Sequence, residues 1–187
     1  MSDLYLYLLC SRNKDNKNVL NFKQRTKPIL EYKENEVKVF EAFKNFAEKG
    51  VDGEQTRLYR TVNSRNEDKI RKEFIIKLLR DESDITKFSR MLVSTAQQKC
   101  SRDENKWLFD FDVNDGLLVM EFVNDIYKFL GIKDVEVKST PNGYHVVVPH
   151  GFDTRELMDK WKYCVTLKKD DLLFLDMMEK RRKQDNE

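Results

Sequence analysis

Two aspartates separated by one residue, Asp110 and Asp112, stand in the segment Trp107-Leu108-Phe109-Asp110-Phe111-Asp112-Val113. Side chains alternate along a strand. A strand here therefore puts both carboxylates on one face, with Trp107, Phe109, Phe111 and Val113 on the other. Ionised acids that close repel one another, and an otherwise apolar strand supplies no compensating charge. A divalent cation does, and hard carboxylate oxygens suit Mg2+ or Mn2+. Taken alone, the pair fits a solvated edge strand better than a metal site, because Asp-x-Asp is short and common.

A second set follows in Lys138-Ser139-Thr140-Pro141-Asn142-Gly143-Tyr144-His145. Pro141-Asn142-Gly143 between β-branched runs predicts a tight hairpin, with Asn-Gly taking the positive φ angles such a turn uses. His145 then shares a sheet face with Val147, while Tyr144, Val146 and Val148 share the other. The Ser139 and Thr140 hydroxyls, the Gly143 backbone and the imidazole converge at one end of the hairpin, and such donors suit a phosphate. A packed core histidine is the alternative. His150, beside Gly151, reads as a surface residue.

The elements that must position these groups are legible from periodicity. Residues 4–10 read as a buried strand and 12–27 as a hairpin with a solvated basic face. Residues 35–49 read as a helix stopped by Gly50, and 56–63 as a strand. A helix follows, with Ser64 as N-cap, Glu67 as its capping-box partner and a stripe of Ile70, Phe74, Ile75, Leu78 and Leu79. Residues 84–99 carry a weaker helical pattern. After the 107–113 strand comes a helix capped by Asn114 or Asp115 and stopped by Gly131. Strands over 134–140 and 144–149 follow, then a helix over 153–162 with Asp153 and Glu156 as its capping box. Val165–Lys169 and Leu172–Asp176 close the pattern. The sum is an α+β protein with a mixed, mainly antiparallel sheet and flanking helices. It reads as a single domain over 1–178, with an N-terminal half to 104, a second half over 105–178 and a frayed tail over 179–187.

Composition bounds the function. The 187 residues carry 35 Lys and Arg against 33 Asp and Glu, so any anion-binding surface arises from local arrangement and not from bulk charge. No apolar run is long enough to span a membrane, and the first residues lack the layout of a secretory signal. Three scattered cysteines, Cys10, Cys100 and Cys164, fit a reducing cytosol and form no disulfide framework or zinc pattern.

Taken together, Asp110-Phe111-Asp112 and Ser139-Thr140-Pro141-Asn142-Gly143-Tyr144-His145 resemble the motifs of the archaeo-eukaryotic primase superfamily, over roughly residues 105–178. This superfamily comprises primases, primase–polymerases and the polymerase domains of bacterial repair ligases. The resemblance implies an RRM-like core and a metal-dependent nucleotidyltransferase adding NTP or dNTP on single-stranded DNA or RNA. It further implies a two-metal Mg2+ or Mn2+ site on Asp110 and Asp112, completed by Asp176 in Leu175-Asp176 or by Asp171. His145, with Ser139 and Gly143, would hold the triphosphate. Arg57, Arg60 and Lys138 are candidates for further phosphate or template contacts by charge alone, and exposed solubilising charge is the alternative for each. Departures are the absence of a zinc module and the end of the chain soon after the third acid. They leave open a replicative helicase as partner, a non-catalytic relative that binds nucleic acid or nucleotide, and a nuclease using the same acids. The composition suits a phage or mobile-element product in a bacterial cytoplasm, and no membrane partner is expected.

Overall fold

A computed structural model describes residues 3–80, 85–131 and 134–181. In chain order the elements are β1 (Leu4–Ser11), β2 (Arg25–Tyr32), α1 (Glu36–Glu48), β3 (Gln55–Thr61), α2 (Glu67–Arg80), α3 (Phe88–Ala96) and β4 (Trp107–Phe111). There follow α4 (Gly116–Leu130), β5 (Glu136–Thr140), β6 (Gly143–Val148), α5 (Arg155–Trp161), β7 (Val165–Lys169) and β8 (Leu172–Glu179). The fold is α+β, but in place of one mixed sheet there are two antiparallel four-stranded sheets, ordered β2-β1-β3-β8 and β5-β6-β4-β7. The reason lies in β2. Its sequence, RTKPILEY, carries Pro28 and charged side chains, features a strand tolerates only at a sheet edge, and it runs five residues beyond the hairpin expected over 12–27. That edge strand pairs with β1 over Leu4–Ser11, so β1, β2 and β3 build a separate sheet that β8 completes.

The chain divides into two compact units, Met1–Asp103 with Leu175–Glu187, and Glu104–Phe174. In the first, helix α1 buries Val39, Phe43 and Ala47, spaced four apart, with Val39 and Phe43 packed against Tyr5, Tyr7, Leu9 and Leu58. A second cluster joins Leu4, Ile70 and Ala96. Two details of α2 differ from the sequence reading. Its start is capped by Asn66, whose Oδ1 accepts the Lys69 N–H at 2.9 Å, whereas Ser64 is buried and Glu67 bonds Tyr32 and Arg71. Ile70 is buried, but Ile75 and Leu79 face solvent, Leu79 with 82% of its surface exposed. The backbone of Lys180 bonds Gly53 and Glu54, so the ladder runs past the expected start of the tail, whose residues 182–187 lie outside the described residues.

The second unit follows the order strand–helix–strand–strand–helix–strand. Its first strand, β4, lies between the third and the fourth. Phe109, Phe111, Val146, Val148 and Val165 pack with Val119, Phe122, Ile126, Leu157 and Trp161 from α4 and α5. Asp115 caps α4 by accepting from the N–H groups of Leu117 and Leu118, and Gly131 ends it at φ 67°. Helix α5 starts two residues later than expected, at Arg155. The anticipated capping box does not form, because the Arg155 guanidinium and N–H hold Asp153.

One carboxylate ties the two helices together. Asp125 on α4 is buried and accepts from Lys160 Nζ at 2.5 Å, Lys128 Nζ at 2.9 Å and Trp161 Nε1 at 3.0 Å. Burial pushes its pKa up, but those donors outweigh burial and bring it down to about 2. A depressed folded-state pKa stabilises above the unfolded value, and the benefit fades as pH falls from about 4 towards 2. With both lysines partly in water, the contribution is about 1–2 kcal/mol. Chemical denaturation between pH 6 and 2 should therefore show the wild type losing that much more stability than Asp125→Asn. Equal losses would discard the assignment.

Candidate active site

Strand β4 turns Trp107, Phe109 and Phe111 to one face and the buried Leu108 with the half-buried Asp110 to the other. Phe109 and Phe111 are buried under the helices, and each such ring is worth roughly 2–3 kcal/mol, so a one-residue slip of register is prohibitive. Asp110 is consequently fixed on the face away from α4 and α5. The cross-strand register completes that face. Asp110 lies opposite His145 of β6 on one side and Thr166 of β7 on the other, and Lys138 of β5 lies opposite His145. Directly opposed residues point the same way, so Lys138, His145, Asp110 and Thr166 form one row across the sheet.

Within this row His145 Nε2 is 3.5 Å from Asp110 Oδ1. The other ring nitrogen, Nδ1, accepts the Phe174 backbone N–H at 3.1 Å. An acceptor Nδ1 carries no proton, so the neutral ring bears its hydrogen on Nε2, directed towards Asp110. Burial lowers the imidazole pKa, with Asp110 and Asp171 opposing and Lys138 assisting. Burial likewise raises the Asp110 carboxyl. His145 opposes that shift, Asp112 adds to it, Lys168 opposes it and Asp171 adds to it. The row is therefore a half-buried carboxyl beside a neutral imidazole, within electrostatic reach of two further acids and two lysines.

Asp112 lies just past the end of β4, yet its N–H donates to the Cys164 carbonyl at 2.9 Å, which extends the ladder to the second acid. Of the two candidates for the third acid, Asp171 acts on both Asp110 and His145. Asp176 belongs to the first unit, half-buried in β8, where its Oδ1 accepts the Met177 N–H. Arg57 and Arg60 are also in the first unit and are engaged there. Arg57 pairs with Asp15 at 2.6 Å; Arg60 lies 3.6 Å from Glu36 and stacks over the Tyr5 ring.

The hairpin departs from expectation in two ways. Thr140 pairs with Gly143, so the turn is Pro141-Asn142 alone, and neither Asn142 nor Gly143 has positive φ. Proline fixes φ near −65°, which excludes the Asn-Gly type of turn at this position. Register then puts Ser139 opposite Tyr144, on the helix side of the sheet. Lys138 and Thr140 share the face of His145 instead. Gly143 answers a different need. A Cβ built there would sit 2.0 Å from the Phe111 carbonyl oxygen, so only glycine lets β6 approach β4 this closely.

Sequence reasoning missed Thr166, Lys168 and the Phe174 N–H. Lys168 sits at a register shift in β7, between the residues opposite Phe109 and Leu108, and no periodicity signals such a bulge. No family model, curated protein or solved structure matches the chain. Among the described residues no helix is long and apolar enough to cross a membrane, and no three His, Cys, Asp or Glu side chains form a ready-made metal cage. The donor chemistry nevertheless suits a hard cation. The imidazole has one nitrogen occupied and the other protonated, which leaves carboxylate oxygens as ligands. Mg2+ characteristically binds one or two carboxylates plus substrate phosphates.

Proposed function

We propose that the second unit is a metal-dependent nucleotidyltransferase of the primase–polymerase kind, extending a strand with NTP or dNTP on a single-stranded template. The observation that carries this reading is the cross-strand row of Asp110 and a neutral His145, with Asp112 and Asp171 close by. Topology lends support. A βαββαβ chain with its first strand between the third and fourth is the split-βαβ arrangement of RRM-like modules. Such modules bind strands by stacking bases on aromatics of one sheet face. Here the corresponding face, beside the buried pair Leu108 and Val147, carries no aromatic in the row of Lys138, His145, Asp110 and Thr166. Those groups suit chemistry on phosphates better than base stacking.

In this scheme Asp110 and Asp112, with Asp171 of the same unit, would hold the divalent cations. A cation held there would supply the charge that makes a 3′-hydroxyl easier to deprotonate and a pyrophosphate easier to release. The residues of the chain do the rest. His145, held in its Nε2–H tautomer by the Phe174 N–H, would exchange Asp110 for a phosphate oxygen of the incoming nucleotide as the acceptor of that hydrogen. Lys138 and Lys168 lend positive charge on either side, and Thr140 and the Gly143 backbone flank the triphosphate.

Two measurements on the purified chain test this. Mn2+ should raise the melting temperature by linkage, equivalent to about 2.7 kcal/mol at a hundredfold excess over Kd. Labelled nucleotide should be added to a primed or unprimed homopolymer template only when Mn2+ or Mg2+ is present. Strand binding without product would favour a non-catalytic relative, and shortened template would favour a nuclease. No thermal response to metal together with no product would remove the metal site altogether.

A further inference from the structure

Six of the sixteen residues from Arg12 to Lys27 are basic and one, Asp15, is acidic. The segment is not the plain hairpin its sequence suggests. Between β1 and β2, residues 12–24 form a run of tight turns, with N–H groups of Asp15, Asn16, Val19 and Phe22 bonding carbonyls three residues back. One side chain pins the loop to the first unit. Asn16, 2% exposed, donates Nδ2 to the Ser11 hydroxyl, the Arg12 carbonyl and the Gln55 carbonyl, and its Oδ1 accepts the Gln55 N–H at 2.6 Å. Asp15 adds a partly buried ion pair, 2.7 Å from Arg12 and 2.6 Å from Arg57. Gln24 closes the far end by accepting the Asn13 N–H.

The internal pairing uses up Asp15 on arginines. Arg25 is likewise held by Glu54 and stacked on Phe46. Lys14, Lys17, Lys23 and Lys27 are left exposed, and among the described residues none has a carboxylate partner. Leu20, 83% exposed, stands among them at the tip, next to Asn21 in the left-handed region at φ 58°. A stretch that only solubilises needs no fixed shape. Here a buried asparagine and a buried ion pair hold like charges together against their own repulsion, a cost that a bound polyanion would relieve.

We propose that loop 12–24 is a preformed binding element for the backbone of single-stranded nucleic acid. Lysines supply point charges for successive phosphates, and the exposed Leu20 gives an unstacked base an apolar surface to cover. A duplex, with its bases stacked inside, would leave that surface unused. The choice of nucleic acid over other polyanions rests on the templated reading of the Asp110 site, whereas the binding itself is measured separately.

The test uses the full chain and a fluorescent oligothymidylate, with anisotropy followed across salt concentrations. Lys14→Glu/Lys17→Glu/Lys23→Glu changes only exposed side chains. It should weaken single-strand binding roughly tenfold or more and flatten the log–log salt slope by about 2, the release expected for three lost phosphate contacts. Asn16→Ala should weaken binding with every lysine still present. Asp110→Asn should bind like the wild type, which separates this inference from the catalytic one: a wild type that binds through the loop but makes no product defeats only the catalytic reading. Unchanged affinity in the triple variant overturns the proposal. So does a wild type that sediments with phosphatidylserine vesicles while ignoring the oligonucleotide.

Discussion

Asp110→Asn should reduce templated nucleotide addition by about a thousandfold or more while leaving the melting temperature of the metal-free protein within a few degrees of wild type. A thousandfold corresponds to about 4 kcal/mol of lost transition-state stabilisation, within reach of one carboxylate that positions a catalytic cation. Asparagine keeps the shape of the side chain that stands 3.5 Å from His145 Nε2, so the packing of the row is preserved. Removing the negative charge also relieves the crowding that Asp112 and Asp171 impose on this carboxyl. The variant therefore separates chemistry from folding, and it should lose the thermal response to Mn2+ along with turnover. Asp171→Asn should approach the loss seen at Asp110, because the same unit offers it as the third ligand. Turnover within tenfold of wild type in Asp110→Asn would end the metal-site assignment.

What could be read without coordinates was whatever local periodicity controls. Alternation in WLFDF puts Phe109 and Phe111 in the core and Asp110 outside it. The Asp115 cap and Gly131 stop of α4 likewise follow from nearest neighbours. What could not be read depends on partners distant in sequence. Strand β2 is hidden by Pro28 and becomes a strand only because β1 offers it an edge. Helix α2 carries apolar residues around more of its circumference than it buries, so sequence could not say that Ile75 and Leu79 stay exposed. The hairpin is the costliest case. Reading the turn as three residues shifts the partner of every residue in β5 by one, enough to exchange Ser139 for Lys138 at the side of His145. The imidazole tautomer was out of reach altogether, since it is set by the Phe174 N–H, 29 residues along the chain.

Gly143→Ala should be the most damaging single methyl that can be added to the second unit. Its Cβ would meet the Phe111 carbonyl oxygen at 2.0 Å and the Val113 nitrogen at 3.1 Å, both backbone atoms that no rotamer change can move. Relief requires β6 to draw away from β4 at the end where Phe111 pairs with Tyr144. Overpacking of this kind costs about 3 kcal/mol, at the upper end of its usual range. For a chain of this size that is about 6–12 °C in melting temperature. The next pair along the ladder is Asp110 with His145, so the separation should also lengthen that contact and cut turnover in whatever fraction stays folded. Two glycines in the same unit serve as controls. Gly116→Ala places its methyl 3.7 Å from the Tyr144 hydroxyl, an ordinary contact at the first turn of α4, and should be neutral or mildly stabilising. Gly131→Ala meets no atom within 4 Å but must adopt φ 67°, which limits its cost to about 1 kcal/mol. The ordering Gly143, then Gly131, then Gly116 follows from close backbone approach outweighing dihedral strain. A Gly143→Ala protein as stable as Gly116→Ala would mean that β4 and β6 are not paired in this register, and the row of Lys138, His145, Asp110 and Thr166 would go with them.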